Sequence, residues 1–374
     1  MIEVRGALAT SLVVVTLFVT GILGTVPAAA AAADVVNVTR PQITGTPMFD
    51  RVLRASPGVW DPADVDVAYR WLRDGTPVPG ARERSYRLRL GDLGRRMSVR
   101  VTATDAEGSS AQAVSGPTTK VVRAPLTNKR LPEVVGVQRF TRMVTAIAGR
   151  WSEAPSRTRY QWLRAGRPIR GAKAAHYRIV PQDVGRSVRV RVTVQAPGHT
   201  KGVATSRRTS PVQHRVAVRR TVRYSVRTRG TIVSSVGEFR RLAQQTYEDP
   251  RGWRAKGVRF IPVARGGSFT LWLAAAGTVP GFSSGCSSMW SCRVGRNVII
   301  NQTRWRFASP AWNGAHRSLR DYRHMVVNHE TGHWLGKGHA RCPGNGRLAP
   351  VMMQQSKGTH GCRFNPWPTT AELR

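Results

Sequence analysis

The sequence predicts three folded units in series: two all-β sandwiches of one kind, then an α+β domain of another. Three observations predict this. A segment returns once at a fixed offset, apolar and polar residues alternate inside both copies, and past about residue 214 the repeat stops and helix-period segments appear. The chain has 374 residues, enough for two or three domains, and 41% apolar residues, enough for packed cores.

The repeat is read first. "YRWLRDGTPVPGARERSYRLRLGDLGRRMSVRVT" begins at Tyr69 and "YQWLRAGRPIRGAKAAHYRIVPQDVGRSVRVRVT" at Tyr160. Trp60/Trp151, Trp71/Trp162, Gly75/Gly166, Tyr86/Tyr177, Asp92/Asp183, Gly94/Gly185 and Thr102/Thr193 keep the same offset of 91 residues, so two copies of one folding unit are expected. "MSVRVTAT" and "VRVRVTV" have period two, which is a strand with one buried face. "RDGTPVPGA" is a turn. Several short strands in about 90 residues make an immunoglobulin-like sandwich, with Trp71 and Trp162 as core anchors and no antibody-type disulfide. The shared pattern resembles the bacterial Ig-like repeats of secreted actinobacterial surface proteins over about Arg40 to Val212. That resemblance implies a fold and a spacing or weak wall-contact role. The expected boundaries are 34–122 and 123–213.

Residues 214–374 form the third unit. "RYSVRT" reads as a strand. "SVGEFRRLAQQTYEDP" reads as a helix opened by a capping box, Ser235 and Glu238, with Phe239, Leu242, Ala243 and Thr246 on one face and Pro250 as the stop. "GVRFIPV", "SFTLWLAA" and "NVIINQ" read as strands. "SLRDYRHMVVNHETGHWLG" is a second helix with Ser318 as N-cap.

That last helix carries the chemistry. His329 and His333 stand four apart, so both rings leave one face and can bind one metal. Glu330 is rotated by about 100° and can reach a water on that metal as general base. Gly336 permits a left-handed exit from the helix, which returns His339 as a third ligand. Five fixed positions at this spacing recur by chance about once in several million starts. The string H-E-x-x-H-x-x-G-x-x-H resembles the metzincin signature. More narrowly, the last 150 or so residues resemble an exported actinobacterial family of metallopeptidase-like proteins of unknown function. The resemblance implies an α+β zinc peptidase domain, a Zn2+ cofactor, hydrolysis of peptide bonds, and a Met-turn supplied by Met352 or Met353. Several metzincins carry a Tyr two residues after that Met, whereas Gln354 or Gln355 stands here. The oxyanion-stabilising group is therefore unassigned; His324 and His360 are neighbours in sequence only.

Residues 211–374 contain six acids: Glu238, Glu248, Asp249, Asp321, Glu330 and Glu372. They offer no opposed pair for a two-carboxylate glycosidase. Glu330 is the one acid with an assigned role.

The rest concerns compartment and partners. Ala7 to Val26 is an apolar run preceded by Arg5 and followed by "PAAAAAAD", the pattern of a secretory signal over residues 1–33. An uncleaved membrane anchor is the alternative. Both readings put the remaining chain outside the cytoplasm, secreted or at the cell surface. Cys286, Cys292, Cys342 and Cys362 make an even count suited to two disulfides. Three pairings are possible, and proximity favours Cys286–Cys292 and Cys342–Cys362. The net charge of +39, from 59 Lys+Arg against 20 Asp+Glu, fits attraction to anionic wall polymers and equally fits Arg spread over solvated faces. No specific nucleic acid is expected. The expected partner is a protein or peptide substrate. The alternative function is wall binding or adhesion with a structural or vestigial zinc site; a third is zinc-dependent hydrolysis of a non-protein amide.

Overall fold

The computed structural model describes residues 34–374. The expected export signal or anchor, residues 1–33, lies outside the described residues. Among those described, no helix is long and apolar enough to cross a membrane. The chain divides into two compact units, one ending at Arg123 and one running from Ala124 to Arg374. The second unit holds both the second repeat and the α+β part.

Each repeat is an Ig-like sandwich of short antiparallel strands. In the first, Thr76–Pro77, Asp66–Arg73, Met97–Thr104 and Ser110–Val114 make a four-stranded sheet, opposed by Ile43–Thr44, Val52–Ala55 and Ser85–Arg87. In the second, Arg167–Pro168, Arg157–Arg164, Val188–Gln195 and Gly202–Thr205 face Glu133–Val135, Met143–Ile147 and His176–Arg178. Val188, Val190, Val192 and Val194 are fully buried while the residues between them are not, as period-two patterning requires. Trp71 and Trp162 have no exposure and stack on Tyr86 and Tyr177, with ring centres 5.6 and 5.4 Å apart.

The repeated Tyr and Asp have a common cause. Asp92 and Asp183 are fully buried carboxylates. Asp183 accepts from Arg164 Nε at 2.6 Å, from the Tyr177 hydroxyl at 2.8 Å and from the Val180 backbone N–H at 2.8 Å. Asp92 accepts from Arg73, Tyr86 and the Arg89 N–H in the same way. A buried charge is tolerable only when paired and hydrogen-bonded like this. Burial, and then the bond to Asp183, pushes the Tyr177 hydroxyl up to about 12.

The C-terminal part is one five-stranded sheet with helices against it. The strand order is Val258–Pro262, Arg220–Arg229, Phe269–Ala274, Asn297–Asn301, Cys292–Val294. All pairings are parallel except the last, which is antiparallel and forms an edge. Helix α1 (Val236–Glu248) crosses between the first two parallel strands and buries Phe239, Leu242, Ala243, Thr246 and Tyr247. Ser235 caps it by accepting from the Glu238 N–H at 3.1 Å. The expected capping box is half made, because the Glu238 carboxylate pairs with Arg323 at 2.8 Å instead.

Two short helices and the edge strand escape the sequence pattern. Asn301 ends its strand and caps α2 (Gln302–Phe307) through its side chain, so the expected strand "NVIINQ" stops one residue early. Ser309 caps α3 (Pro310–Gly314), and Ser318 caps the long helix α4 (Leu319–Trp334) by accepting from the Asp321 N–H at 3.0 Å. Trp253, Trp305 and Trp312 pack around α4 in the buried core.

Replacing Asp183 by Ala would leave Arg164 and Tyr177 facing a hole. We expect a loss of about 3 kcal/mol in the second repeat. Backbone amides of Val188–Gln195 should then exchange about a hundredfold faster with solvent hydrogen. Unchanged protection would show that the carboxylate is not needed.

Candidate functional site

The site begins at the end of α4. Leu335 closes the helix and Gly336 follows at φ +85°. The Gly336 N–H donates to His333 O at 3.1 Å and the Lys337 N–H donates to Gly332 O at 2.9 Å. These two bonds make the Schellman turn, which needs a left-handed residue where Gly336 stands. The chain therefore doubles back, and His339 returns to the helix face that carries His329 and His333.

The three imidazoles meet. His333 Nε2 lies 3.1 Å from His329 Nε2 and 3.1 Å from His339 Nε2. One nitrogen from each ring falls within 4.8 Å of the others, a spacing that can hold a metal ion. The other ring nitrogens are engaged on two of the three: His329 Nδ1 faces Val351 O and His333 Nδ1 faces Lys337 O, both at 2.8 Å. A backbone carbonyl only accepts, so each Nδ1 carries the proton and each Nε2 presents a lone pair. Lone pairs this close repel each other unless a cation sits among them. A donor set of three imidazoles, two of them on fixed tautomers, is one that could hold zinc.

Electrostatics agree with neutral rings. Burial, opposed by the Val351 bond, holds His329 down at about 3. His333 and His339 are also lowered, by burial first, then with contributions from neighbouring cations, Arg293 for His333 and Lys357 for His339. Glu330 is 5% exposed, and burial raises its carboxyl to about 8. It makes no hydrogen bond or ion pair among the described residues. His329, His333, His339 and Glu330 line one cleft of about 600 Å³.

A turn supports this face from below. Met353 N–H donates to Pro350 O at 3.0 Å, closing a turn that presents Val351 O to His329. Ala340 N–H donates to Met352 O at 3.1 Å, tying the turn to the residue after His339. The sequence leaves Met352 and Met353 open, and packing separates them. Met352 joins the core under α4, where a Cβ at Gly332 would overlap its Sδ. Met353 packs instead with Ala349, Cys342 and Cys362. Gly332 thus accepts the helix penalty of glycine to admit the thioether.

The disulfides are Cys286–Cys292 and Cys342–Cys362. The first closes the loop whose residues Ser287 and Trp290 line the cleft beside the edge strand. The second braces the segment between His339 and the end of the Met352 turn.

Other expected neighbours go elsewhere. Gln354, two residues after Met352, is exposed at the cleft, and its amide makes no hydrogen bond among the described residues. Gln355 is fully buried and is spent on Pro350 and Asn365. His360 is exposed and is not among the cleft residues. His324 is buried away from the cleft, bonded to the Thr246 hydroxyl at 2.8 Å and tilted against Trp367.

Two residues of the site escaped the sequence. Glu372 accepts from the Val351 and Met352 N–H groups at 3.0 and 2.8 Å, and from Thr369 N–H at 2.7 Å. The T-x-x-E spacing of Thr369 to Glu372 was the available signal. Arg293, on the edge strand, donates from Nη2 to His333 O at 2.5 Å. A three-residue strand gives no period to read, so nothing marked it.

Substituting Glu372 by Ala removes the acceptors that two turn amides need. We expect a loss of about 1–3 kcal/mol and faster amide exchange at Val351 and Met352, read by mass spectrometry. Slow exchange as in the native chain would contradict the clamp. His324 sets a pH dependence. Burial, then the Arg320 charge, lowers it to about 4, below its ordinary 6.5. The unfolded chain takes a proton below pH 6.5 that the folded chain refuses until about pH 4. Its contribution to stability is complete above that window and is lost as pH falls through it. His324→Gln should therefore flatten the melting-temperature profile between those values, and an unaltered slope would exclude His324 as the cause.

Residues 197–369 match the model of a family described as "Protein of unknown function (DUF3152)". No curated protein matches the sequence. Among solved structures, the chain is similar to three N-terminal domains of the highly immunogenic outer capsid protein Hoc of bacteriophage RB49, at 14% identity over 52% of this chain and 66% of that one, with a TM-score of 0.22. It is also similar to the tandem Ig repeats of Dlar, at 14% identity over 48% and 96%, TM-score 0.16. A third likeness is the amphioxus IgVJ-C2 molecule, at 16% identity over 40% and 89%, TM-score 0.21. The chain spans just under two thirds of the phage domains. At these scores the likeness decides nothing about the site, and the sandwich description rests on the strand pairing above.

Proposed function

We propose that this protein is an exported, zinc-dependent endopeptidase of metzincin type, carried on two Ig-like modules. The observation that carries the reading is the meeting of three Nε2 atoms beside one buried carboxylate with no partner among the described residues, in an open cleft. His329, His333 and His339 would hold the metal. When bound, zinc supplies Lewis acidity, polarising a carbonyl and lowering the pKa of water toward about 7.

The chain's own residues do the rest. Val351 O and Lys337 O orient two imidazoles and keep their Nε2 atoms deprotonated. Met352 and Gly332 fix the floor under them. Glu330, one residue past His329, accepts a proton from the attacking water at its carboxylate and returns it to the departing amine nitrogen. Its burial limits competing solvent. Export is supported by the N-terminal pattern and by two disulfides, which persist in oxidising compartments. The Ig-like modules would act as spacers, and the basic surface would favour anionic wall polymers.

A site serving only structure has no use for an unpaired carboxylate beside its ligands, which favours the enzyme over the wall-binding alternative.

Digestion of a peptide library by the full chain, with and without chelator, tests the reading. Glu330→Gln should keep its zinc and lose at least 10²–10⁴-fold in kcat. Undiminished turnover in that variant would refute the role of Glu330. Zinc content without cleavage of any peptide would favour the structural or non-protein-amide reading.

A further inference from the structure

The cleft carries a charge that the mechanism leaves unused. Arg293 sits in the edge strand Cys292–Val294, between two residues that pack into the cluster around Ala274 and Ile299. Successive side chains alternate faces, so Arg293 points the other way, toward the end of α4 and the cleft. Its one hydrogen bond among the described residues is the Nη2 bond to His333 O. It has no carboxylate partner there. A half-buried guanidinium with no counter-ion is costly to keep. The single bond fixes the group beside a ligand histidine and leaves donors over, in a fork that matches a carboxylate.

The surroundings point the same way. Of the residues lining the cleft, Glu330 alone is acidic, while Arg293, Lys337 and Lys357 are basic. Lys357 is exposed and close enough to His339 to act on it electrostatically. No carboxylate among the described residues pairs with Arg293, so a substrate carboxylate entering the cleft would find it available.

We propose that Arg293 is a specificity-determining residue that binds a carboxylate of the substrate close to the bond that is cut. This rests on the peptidase reading for the cutting, and on geometry alone for the recognition. The carboxylate is either an acidic side chain flanking that bond or a free C-terminus near it. A rival role exists: a cation at a helix C-terminus is favourable by itself. A capping role would affect stability but not discrimination among substrates.

The test separates these. Labelled peptides are made in pairs that differ by Glu against Gln, with both ends blocked, and a further set has a free C-terminus and no internal acid. Binding is read by fluorescence anisotropy on the full chain carrying Glu330→Gln, and turnover on the full chain with native Glu330. The Glu peptides, the free-terminus peptides or both should bind at least tenfold more tightly than their neutral partners. Arg293→Ala should erase that preference, Arg293→Lys should keep part of it, and Arg293→Glu should turn it toward Lys-bearing peptides. The Lys and Glu substitutions decide the matter should the Ala variant misfold. Equal binding of the Glu and Gln forms, or an equal loss for every peptide in the Arg293 variants, would overturn the proposal. Binding that follows Arg293, with no cleavage of any peptide by the native chain, would sink the peptidase reading and leave the recognition standing.

Discussion

The site depends on helix α4 stopping one residue past Trp334. His329 and His333 share a face by helical spacing alone, but a third ligand from the same segment requires the chain to reverse at once. The left-handed Gly336 allows that reversal, and the two bonds of its turn use carbonyls that a helix end would otherwise leave unpaired. A side chain there would strain the turn and carry His339 away. The other supports, Val351 O on His329 and Lys337 O on His333, take effect only after the reversal has been made.

Around that turn the protein spends its acids sparingly. It has 20 of them against 59 Lys+Arg. Asp92 and Asp183 are buried to hold a Tyr and an Arg in each sandwich. Glu238 ties α1 to α4 through Arg323. Glu372 clamps the Met352 turn through backbone N–H groups. Glu330 stands apart from these, buried and without a partner among the described residues. In a strongly basic chain, a buried carboxylate left unpaired next to three histidines has no structural explanation of its own, and chemistry at the cleft supplies one.

Much of this was legible in the sequence, for identifiable reasons. The fixed offset and period-two valines gave the sandwiches, because a half-buried strand has to alternate. The convergence of His329, His333 and His339, the carboxyl of Glu330 beside them and the bend at Gly336 were readable because helix geometry turns spacing into direction. Other parts were not. Trp71, Tyr86 and Asp92 repeat visibly, yet the buried bond between the last two joins side chains six residues apart, a spacing that belongs to no helix or strand period. The choice of Met352 over Met353 turns on a gap above Gly332, which no pattern records. Arg293 lies in a strand too short for any period, and α2 begins where Asn301 exchanges its strand partner for a cap.

The central claim is that three imidazoles of one short segment close on a single cation. Calorimetric titration of zinc into the metal-stripped full chain tests it most directly, run beside His339→Ala. The account predicts one tight equivalent for the native chain, and an affinity at least a hundredfold weaker once the third ring is gone. Native-like binding by the His339→Ala chain, or no stoichiometric binding by the native one, would contradict it.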